Sequence, residues 1–428
     1  MPISTIGIRT LTVGFDHAHQ DMGLAEEQLS SFNKYSLEVF SKVKRAPRTY
    51  RIAMNPVIPG PKMDLAGAMS YVNWTSNICT KLGFRWFCLP IKDVDAGNSS
   101  QAFDIGLECL RRHKNVFLNV IVSKGGEISL PAVKTGAKLI KAASRLSDNG
   151  FDNFRLGVSS NCKVNTPFFP FAEQSGTTGF SIGLELPQFL NRLISNHNKE
   201  DLITLRKEII ENLLSQLNEI QLSALDISNV TGLEYHGMDI SLAPYPEDHG
   251  SVGELIERVS TGKFGSHGTI FAISFFTDIL KTIVESGEIK TVGFNGVMLS
   301  LLEDESLSYH NRWKLFSLDS LLAYSSVCGC GLDMIPLPGD ILEEELRAII
   351  LDTAGMSIRL DKPLGVRLLP IIGEGENEIT NYNFDFIYNS RVLGTKGIPA
   401  DFDLLFKSSH FSYSKSYENN TKIKPNKG

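Results

Sequence analysis

The chain has 428 residues and a formal charge of −6, from 42 basic and 48 acidic side chains. An acidic excess without a basic stripe argues against a general binder of nucleic acids or of anionic membranes. The hydrophobic fraction of 42% and the charged fraction of 21% are typical of a globular protein with a large core. The sequence contains no run of about 18 apolar residues, so no transmembrane helix is predicted.

The six cysteines are too sparse for a disulfide scaffold and form no Cys-x-x-Cys pair, so we expect reduced thiols. The first residues lack the basic and apolar regions of a signal peptide. Both observations predict a cytoplasmic protein.

Strand-like and helix-like segments alternate through the first half of the chain. Apolar runs rich in β-branched and aromatic residues predict strands over 6–15, 50–58, 84–90, 115–122, 154–159 and 180–186. Apolar residues at helical spacing predict helices over 24–43, 64–83, 101–113 and 131–150. Asp64 and Pro131 suit helix starts, and Gly83 and Gly150 suit helix ends.

The second half continues the pattern. Helices are predicted over 199–222, 252–259, 269–285, 315–327 and 343–354, and strands over 225–230, 238–243, 291–299, 332–336, 365–370 and 384–392. The polar segment 407–428 is predicted to be a mobile tail after a single domain over 1–406.

About ten strands alternating with helices predict an α/β fold with a largely parallel sheet. Ten strands are too many for a plain eight-stranded barrel. A long doubly wound sheet and a single barrel of about ten strands with outer helices both fit the pattern.

The segment 326–336 has the clearest chemical character. Cys328 lies in a tight Gly-rich turn, where a thiol can face a cavity and act as a nucleophile. Cys330, two residues later, can serve packing or pair with Cys328 in a redox couple, and packing is the favoured interpretation because such a disulfide needs special geometry.

Histidines provide the second set of candidates. His267 lies between small residues in Gly265–Thr269, just before a predicted helix, where a ligand can approach closely. His17 and His19 follow the first predicted strand and could ligate a divalent metal, but two histidines alone are a weak metal signal and a solvated turn is the favoured interpretation.

Several segments resemble the family known as domain of unknown function 711, with matching order and spacing from about 225 to 400. They are Cys328 and the segments Asp239–Pro244, Gly265–Thr269, Gly331–Ile335 and Val366–Pro370. The first half is similar mainly through Gly7–Leu11. The chain departs from the family at 161–170, where Asn-Cys-Lys-Val-Asn-Thr-Pro-Phe-Phe-Pro replaces a short stretch of small residues, which predicts a divergent pocket.

The resemblance implies a pyruvate formate-lyase-like fold, the barrel of about ten strands found in glycyl-radical enzymes. In those enzymes a cysteine lies on a loop inside the barrel, where Cys328 would fall, and a glycyl radical lies on a C-terminal loop. Gly394 loosely matches the radical glycine, but Thr395 replaces the usual aromatic residue. The resemblance implies a fold and a site, and no reaction.

We therefore expect a cytosolic enzyme that acts on a small anionic carboxylate or acyl metabolite by polar chemistry of a lyase, hydrolase or isomerase type. The candidate catalytic residues are Cys328, His267 and Asp239, and the candidate substrate-binding residues are Arg367, Arg9, Ser241 and Asn161. A non-catalytic metabolite-binding or regulatory protein and a glycyl-radical enzyme using Cys328 and Gly394 are the alternatives. A homodimer is expected because two-fold self-association is the commonest arrangement.

Overall fold

The computed structural model describes residues 5–15, 22–197, 201–397 and 407–413, which form a mixed α/β fold. The strands in these ranges are β1 Gly7–Phe15, β2 Thr49–Met54, β3 Trp86–Ile91, β4 Val116–Lys124, β5 Glu127–Ser129, β6 Leu156–Ser160, β7 Gly179–Glu185, β8 Glu234–Asp239, β9 Gly331–Pro338, β10 Leu364–Ile371 and β11 His410–Ser412. The α-helices are α1 Met22–Lys42, α2 Leu65–Leu82, α3 Ser99–Arg112, α4 Leu130–Ala143, α5 Leu186–Asn196, α6 Leu202–Thr231, α7 Val252–Val259, α8 Thr269–Ser286, α9 Glu305–Arg312, α10 Leu318–Tyr324 and α11 Glu343–Arg359.

All eleven of these strands belong to one sheet. Its main path runs β8-β7-β1-β2-β3-β4-β6-β10-β9, and β5 and β11 attach to one edge of β4. The strands β1, β2, β3, β4 and β6 are mutually parallel. The pairs β7–β8 and β9–β10 run in the opposite direction, because β7 is antiparallel to β1 and β10 is antiparallel to β6. The sheet therefore consists of parallel groups of strands, and it is antiparallel where these groups meet, at β1–β7 and at β6–β10.

The two ends of this path, β8 and β9, are not joined by a regular strand. Most of the segment 291–300 is predicted as a strand, but it makes only isolated parallel bridges. Thr291 bridges residue 238, Val297 bridges residue 242, and Ser300 bridges Asp333 in β9. The regular strands by themselves thus form an open sheet and not a closed barrel.

One face of the sheet packs against helices. A Cβ on Gly106 of α3 would lie 2.9 Å from Leu139 of α4 and 3.4 Å from Leu118 of β4, and a Cβ on Gly136 of α4 would lie 3.0 Å from Val158 of β6. These glycines let the helices approach the sheet closely, which places the outward side chains of β4 and β6 in the core.

The other face of the sheet curls around the segment 161–177. A Cβ on Gly157 of β6 or on Gly365 of β10 would lie closer than 3.0 Å to Pro170 or Phe171. The Cys88 thiol of β3 donates to the carbonyl of Pro170 at 3.1 Å. Since strands from distant parts of the path contact the same few residues, the inner face is concave and this segment fills part of it.

Two predicted strands are wrong. Residues 225–230 form the end of α6, whose buried residues recur every three or four positions at Leu213, Leu217, Ile220, Ala224 and Ile227. A run of six residues is too short to show a helical period, so its apolar residues by themselves do not distinguish a helix from a strand. Residues 384–392 are irregular apart from an isolated bridge between Arg391 and Ile379.

Within the segment predicted as a tail, residues 410–412 form β11, which pairs with β5. Residues 414–428 lie outside the described ranges. No helix in those ranges combines the length and apolar character that a membrane span requires.

We expect Gly157→Ala to lower the free energy of unfolding by about 2 kcal/mol, because a methyl group would overlap Pro170 and Phe171 in a packed interior. Urea denaturation measures the effect. Gly60→Ala is the matched control, since a Cβ there meets no atom within 4 Å, and its effect should stay below about 0.5 kcal/mol. Equal effects at the two positions would show that the segment 161–177 does not press on the sheet.

Candidate functional site

A cavity of about 120 Å³ lies on the concave face of the sheet. Its walls come from Thr49 and Arg51 in β2, Trp86 in β3, Phe117 in β4 and the loop that follows β8. Ligands of parallel sheets usually bind at carboxyl ends of strands. Here the carboxyl end of β8 meets the amino ends of β2, β3 and β4, because β8 runs in the opposite direction.

Arg51 is the most unusual side chain of this cavity. It is 6% exposed, and its guanidinium lies 5.0 Å from the ring centre of Trp86 and 5.1 Å from that of Phe169. Its Nε donates to the Thr49 hydroxyl at 3.3 Å, and it makes no ion pair with a described carboxylate. Burial, followed by the charges of Arg9 and Arg85, lowers the pKa of Arg51 to about 9. Its buried surroundings and the neighbouring arginines therefore disfavour this positive charge.

Arg9, a predicted substrate-binding residue, also lines the cavity. It is half-buried, and its Nη1 donates to the carbonyl of Pro244 at 2.7 Å. Its guanidinium lies 5.3 Å from the ring centre of Tyr245, and no described carboxylate forms an ion pair with it. Arg9 and Arg51 thus bring two guanidinium groups without carboxylate partners to one cavity.

Arg367, the second predicted substrate-binding arginine, lines the same cavity but is already paired. Its Nε and Nη2 bind the two oxygens of Asp333 at 2.6 and 2.9 Å, and Nη2 also binds Oε2 of Glu303 at 2.6 Å. Burial opposes the charge of Arg367, but Asp333 and Glu303 raise its pKa above the ordinary value. This arginine is a buried structural cation, and it has less capacity for a further anion than Arg51 has.

The two carboxylate oxygens of Glu303 differ in their hydrogen bonds. Oε2 accepts from Arg367 and from the Ser300 hydroxyl at 2.6 Å, whereas Oε1 has no hydrogen-bond partner among the described residues. Burial by itself would raise the pKa of Glu303, but Arg367 and Arg9 lower it overall. Glu303 is therefore an ionised carboxylate on the cavity wall with a free acceptor.

Aromatic rings complete the wall. Phe168, Phe169 and Phe171 come from the segment 161–177, and the first two belong to the stretch 161–170 where the chain departs from the family pattern. Trp86, Phe117, Phe154 and Phe386 supply further rings, of which Phe117 packs edge-on against Trp86 and Phe154 with centroids 5.4 Å apart. The bulky residues Phe168 and Phe169 of the stretch 161–170 thus line the pocket.

The two neighbouring cysteines face different surroundings. Cys330 lines the cavity, and the amide of Leu299 donates to its sulfur at 3.3 Å. Cys328 is 1% exposed and lines a separate cleft of about 510 Å³ beside α8, with Lys362. A hydrogen bond from Cys330 and the charge of Lys362 lower the pKa of Cys328 to about 6, and Cys328 in turn raises the pKa of Cys330 well above its ordinary value.

Asp239 and Ser241 hold a loop in place. The two oxygens of Asp239 accept from the amides of Phe294 at 2.8 Å, Asn295 at 3.1 Å and Ser241 at 3.0 Å, and from the Ser241 hydroxyl at 2.5 Å. Burial raises the pKa of Asp239. Both residues are fully buried, and neither lines the cavity. Their contacts fix the loop that leads into the segment 291–300.

Two other candidates also lie away from the cavity. The side chain of His267 is exposed in the loop between α7 and α8 and lines neither the cavity nor the cleft. Asn161 follows β6, and its Nδ2 donates to the Ser357 hydroxyl at 3.3 Å. The structure therefore brings Arg9 and Arg367 together with Cys330, and does not add Cys328, His267 or Asn161 to them.

Gly394, the candidate radical glycine, lies beside the far end of β9. The amide of Leu393 donates to the carbonyl of Pro336 at 2.9 Å, whereas the cysteines precede the first residue of this strand. Six residues separate Cys330 from Pro336, which corresponds to about 20 Å of strand. This arrangement gives no support to direct radical transfer between Gly394 and either cysteine.

The weak metal candidates His17 and His19 lie outside the described residues. Inside them, no group of three or more His, Cys, Asp or Glu side chains is arranged to hold a metal ion.

Arg51 and Glu303 were missed in the sequence. The sequence did contain a signal for Arg51, because a charged residue within the strand-like run Thr49–Met54 indicates a buried charge. Glu303 had none, since it occurs in a run of acidic residues that resembles a solvated turn.

Comparisons with known proteins identify relatives. A family model described as "Uncharacterised ACR (DUF711)" matches residues 3–384. A UPF0210 protein of Pyrobaculum aerophilum is 30% identical over 260 residues, which are 60% of this chain and 57% of the relative. UPF0210 proteins of Leuconostoc citreum and Neisseria meningitidis are 29% and 27% identical over 62% and 60% of this chain, and over 59% and 57% of their own lengths.

The chain matches less than two thirds of the length of each of these relatives. The family model, in contrast, extends over most of the chain and includes the strands and loops that build the cavity. The chain therefore belongs to the DUF711 family.

Proposed function

We propose that the chain binds a small carboxylate metabolite in the cavity, with Arg51 and Arg9 as the groups that hold the carboxylate. The observation that carries the proposal is the buried guanidinium of Arg51, which has no carboxylate partner among the described residues. An unpaired buried charge is unfavourable by several kcal/mol, so such a group is usually retained for a ligand.

The geometry of Arg51 suits a carboxylate. The rings of Trp86 and Phe169 lie beside its guanidinium, and Thr49 binds Nε, while the two terminal nitrogens form no hydrogen bond to a described residue. A guanidinium fork binds the two oxygens of a carboxylate in a bidentate manner. A bound carboxylate would also offset the positive charge of Arg51, which burial and the charge of Arg9 make unfavourable.

We expect Arg51→Met to weaken the binding of benzoate at least tenfold, because about 1.5 to 3 kcal/mol of charge-assisted hydrogen bonding is lost. Isothermal titration calorimetry measures the affinity. Without ligand, the variant should be at least as stable as the parent chain, since an unpaired buried charge is replaced by an apolar side chain.

Arg111→Met is the matched control, because Arg111 forms a surface ion pair with Glu108 and does not line the cavity. It should bind benzoate like the parent chain. A folded Arg51→Met variant with unchanged affinity, or a parent chain that binds no small carboxylate, would refute the proposed function.

A second candidate function is an enzyme acting on the same carboxylate. It is favoured by Cys330 and Glu303, which line one cavity with pKa values shifted in opposite directions. Such a pair provides a protonated acid and an ionised base at the same pH. In this candidate Glu303 accepts a proton from the carbon next to the carboxylate, Arg51 and Arg9 stabilise the resulting negative charge, and the proton returns to carbon.

If this chemistry occurs, phenylacetate incubated with the chain in D₂O should exchange its methylene hydrogens, as measured by proton NMR. Glu303→Gln should abolish the exchange and retain binding, because the amide keeps the shape but is not a base. Binding without exchange in the parent chain would leave the metabolite-binding function and exclude this enzyme.

We also infer that the sheet closes into a barrel of about ten strands, as in the pyruvate formate-lyase-like fold. Residues 291–300 supply the support, since the amide of Val292 donates to Met238 at 3.0 Å and that of Met298 donates to Leu242 at 2.9 Å. Their other side bridges β9. The two parallel groups would then contain five strands each, and the cavity would be enclosed.

We expect the amides of Val292 and Met298 to exchange with solvent as slowly as those in the middle of β4, because a closed barrel leaves no free edge at this point. Hydrogen exchange followed by NMR or mass spectrometry gives the rates. Exchange at the rate of the exposed turn Gly125–Gly126 would show that β8 and β9 are free edges.

A further inference from the structure

The walls of the cavity restrict the kind of carboxylate that fits. We propose that the ligand is a single-ring aromatic carboxylate that carries a hydrogen-bond donor on its ring. This inference rests on the proposed function and names the chemical class of its ligand.

The size of the cavity sets an upper limit. An apolar cavity of about 150 Å³ can hold a benzene ring. At about 120 Å³, with an opening toward the rim, this cavity admits a single six-membered ring with small substituents. Nucleotides and acyl carriers are too large to enter.

The rings of the wall favour a flat ligand. Phe117, Phe154, Phe168 and Phe171 line the cavity together with Trp86 and Phe169, which lie beside the guanidinium of Arg51. Aromatic pairs in edge-on or offset geometry are more favourable than burial of the same area alone. A ring whose carboxylate reaches Arg51 would extend among these side chains.

The charges of the wall favour an anion. The lining contains five arginine side chains and two carboxylates, Glu303 and Asp333, so its net charge is positive. Arg48, one of the five, is paired with Glu185 and Glu247 outside the lining, and the remaining four arginines still exceed the two carboxylates. A carboxylate ligand reduces this excess of positive charge.

The free oxygen of Glu303 favours a donor on the ligand. Oε1 is without a hydrogen-bond partner among the described residues, while both oxygens of Asp333 are bound to Arg367. Glu303 lies in the turn at 301–303, directly after Ser300, which bridges β9, and Arg51 is on β2. A hydroxyl or amino group on the ring would satisfy Oε1 of Glu303 when Arg51 holds the carboxylate.

The test is a comparison of five probes by isothermal titration calorimetry: 4-hydroxybenzoate, benzoate, cyclohexanecarboxylate, succinate and inorganic phosphate. We expect 4-hydroxybenzoate to bind most tightly and benzoate to bind at least about fivefold more tightly than cyclohexanecarboxylate. Succinate and phosphate should bind more weakly than benzoate. Arg51→Met should weaken both aromatic probes at least tenfold.

Two variants of Glu303 test the donor. Glu303→Met should remove the preference for 4-hydroxybenzoate over benzoate, since no acceptor remains. Glu303→Gln should reduce the preference, because its one carbonyl oxygen is needed by Arg367 and Ser300 and the amide nitrogen that replaces Oε1 is a donor. The second variant keeps an acceptor for Arg367 and serves if the first does not fold. An unchanged preference in a folded Glu303→Met variant would contradict the role of Glu303.

Failure of this inference is distinct from failure of the proposed function. Arg51-dependent binding of cyclohexanecarboxylate or succinate as tight as that of benzoate would refute the aromatic class and leave carboxylate binding intact. No binding of any carboxylate, or binding that is insensitive to Arg51→Met, would refute both.

Discussion

The close contact between the segment 161–177 and the concave face of the sheet is the constraint on which the site depends. Phe171 and Pro170 lie where side chains of β6 and β10 would otherwise be, and Gly157 and Gly365 provide the space. Because the segment occupies the middle of the concave face, only a small volume remains between its aromatic rings and the amino ends of β2, β3 and β4. The same residues thus determine the packing of the interior and the size of the cavity.

The charges of the cavity differ in how they are compensated. Arg367 lies between Asp333 and Glu303, so its burial is balanced by ion pairs that join β9, β10 and the turn at 301–303. Arg51 has the Thr49 hydroxyl and two aromatic rings beside it and forms no ion pair with a described carboxylate. A protein interior tolerates the first arrangement as structure, whereas the second leaves a charge that a ligand can compensate. This contrast distinguishes a structural arginine from a binding arginine within one cavity.

The sequence predicted more of the fold than of the site. Strands and helices with a strong period were close to their observed bounds, as in α7 over Val252–Val259, because local apolar spacing reflects the face that each element buries. The short apolar run at 225–230 had no such period and proved to be helical. Arg9 and Arg367 were identified through the family resemblance. Arg51 and Glu303 were not, because the cavity that unites them comes from strands and turns far apart in the chain.

By itself, the sequence determined the α/β class, the family and the bulky stretch at 161–170, since each of these depends on the local order and spacing of residues. Only the tertiary structure decided that Cys330 faces the cavity and Cys328 does not, that Arg367 is paired, and that Arg51 has no carboxylate partner in the described part of the chain. The physical reason is that pairing depends on which distant side chains meet in space. Arg51 and Arg367 have the same side chain, and the curvature and direction of their strands decide which groups each guanidinium meets.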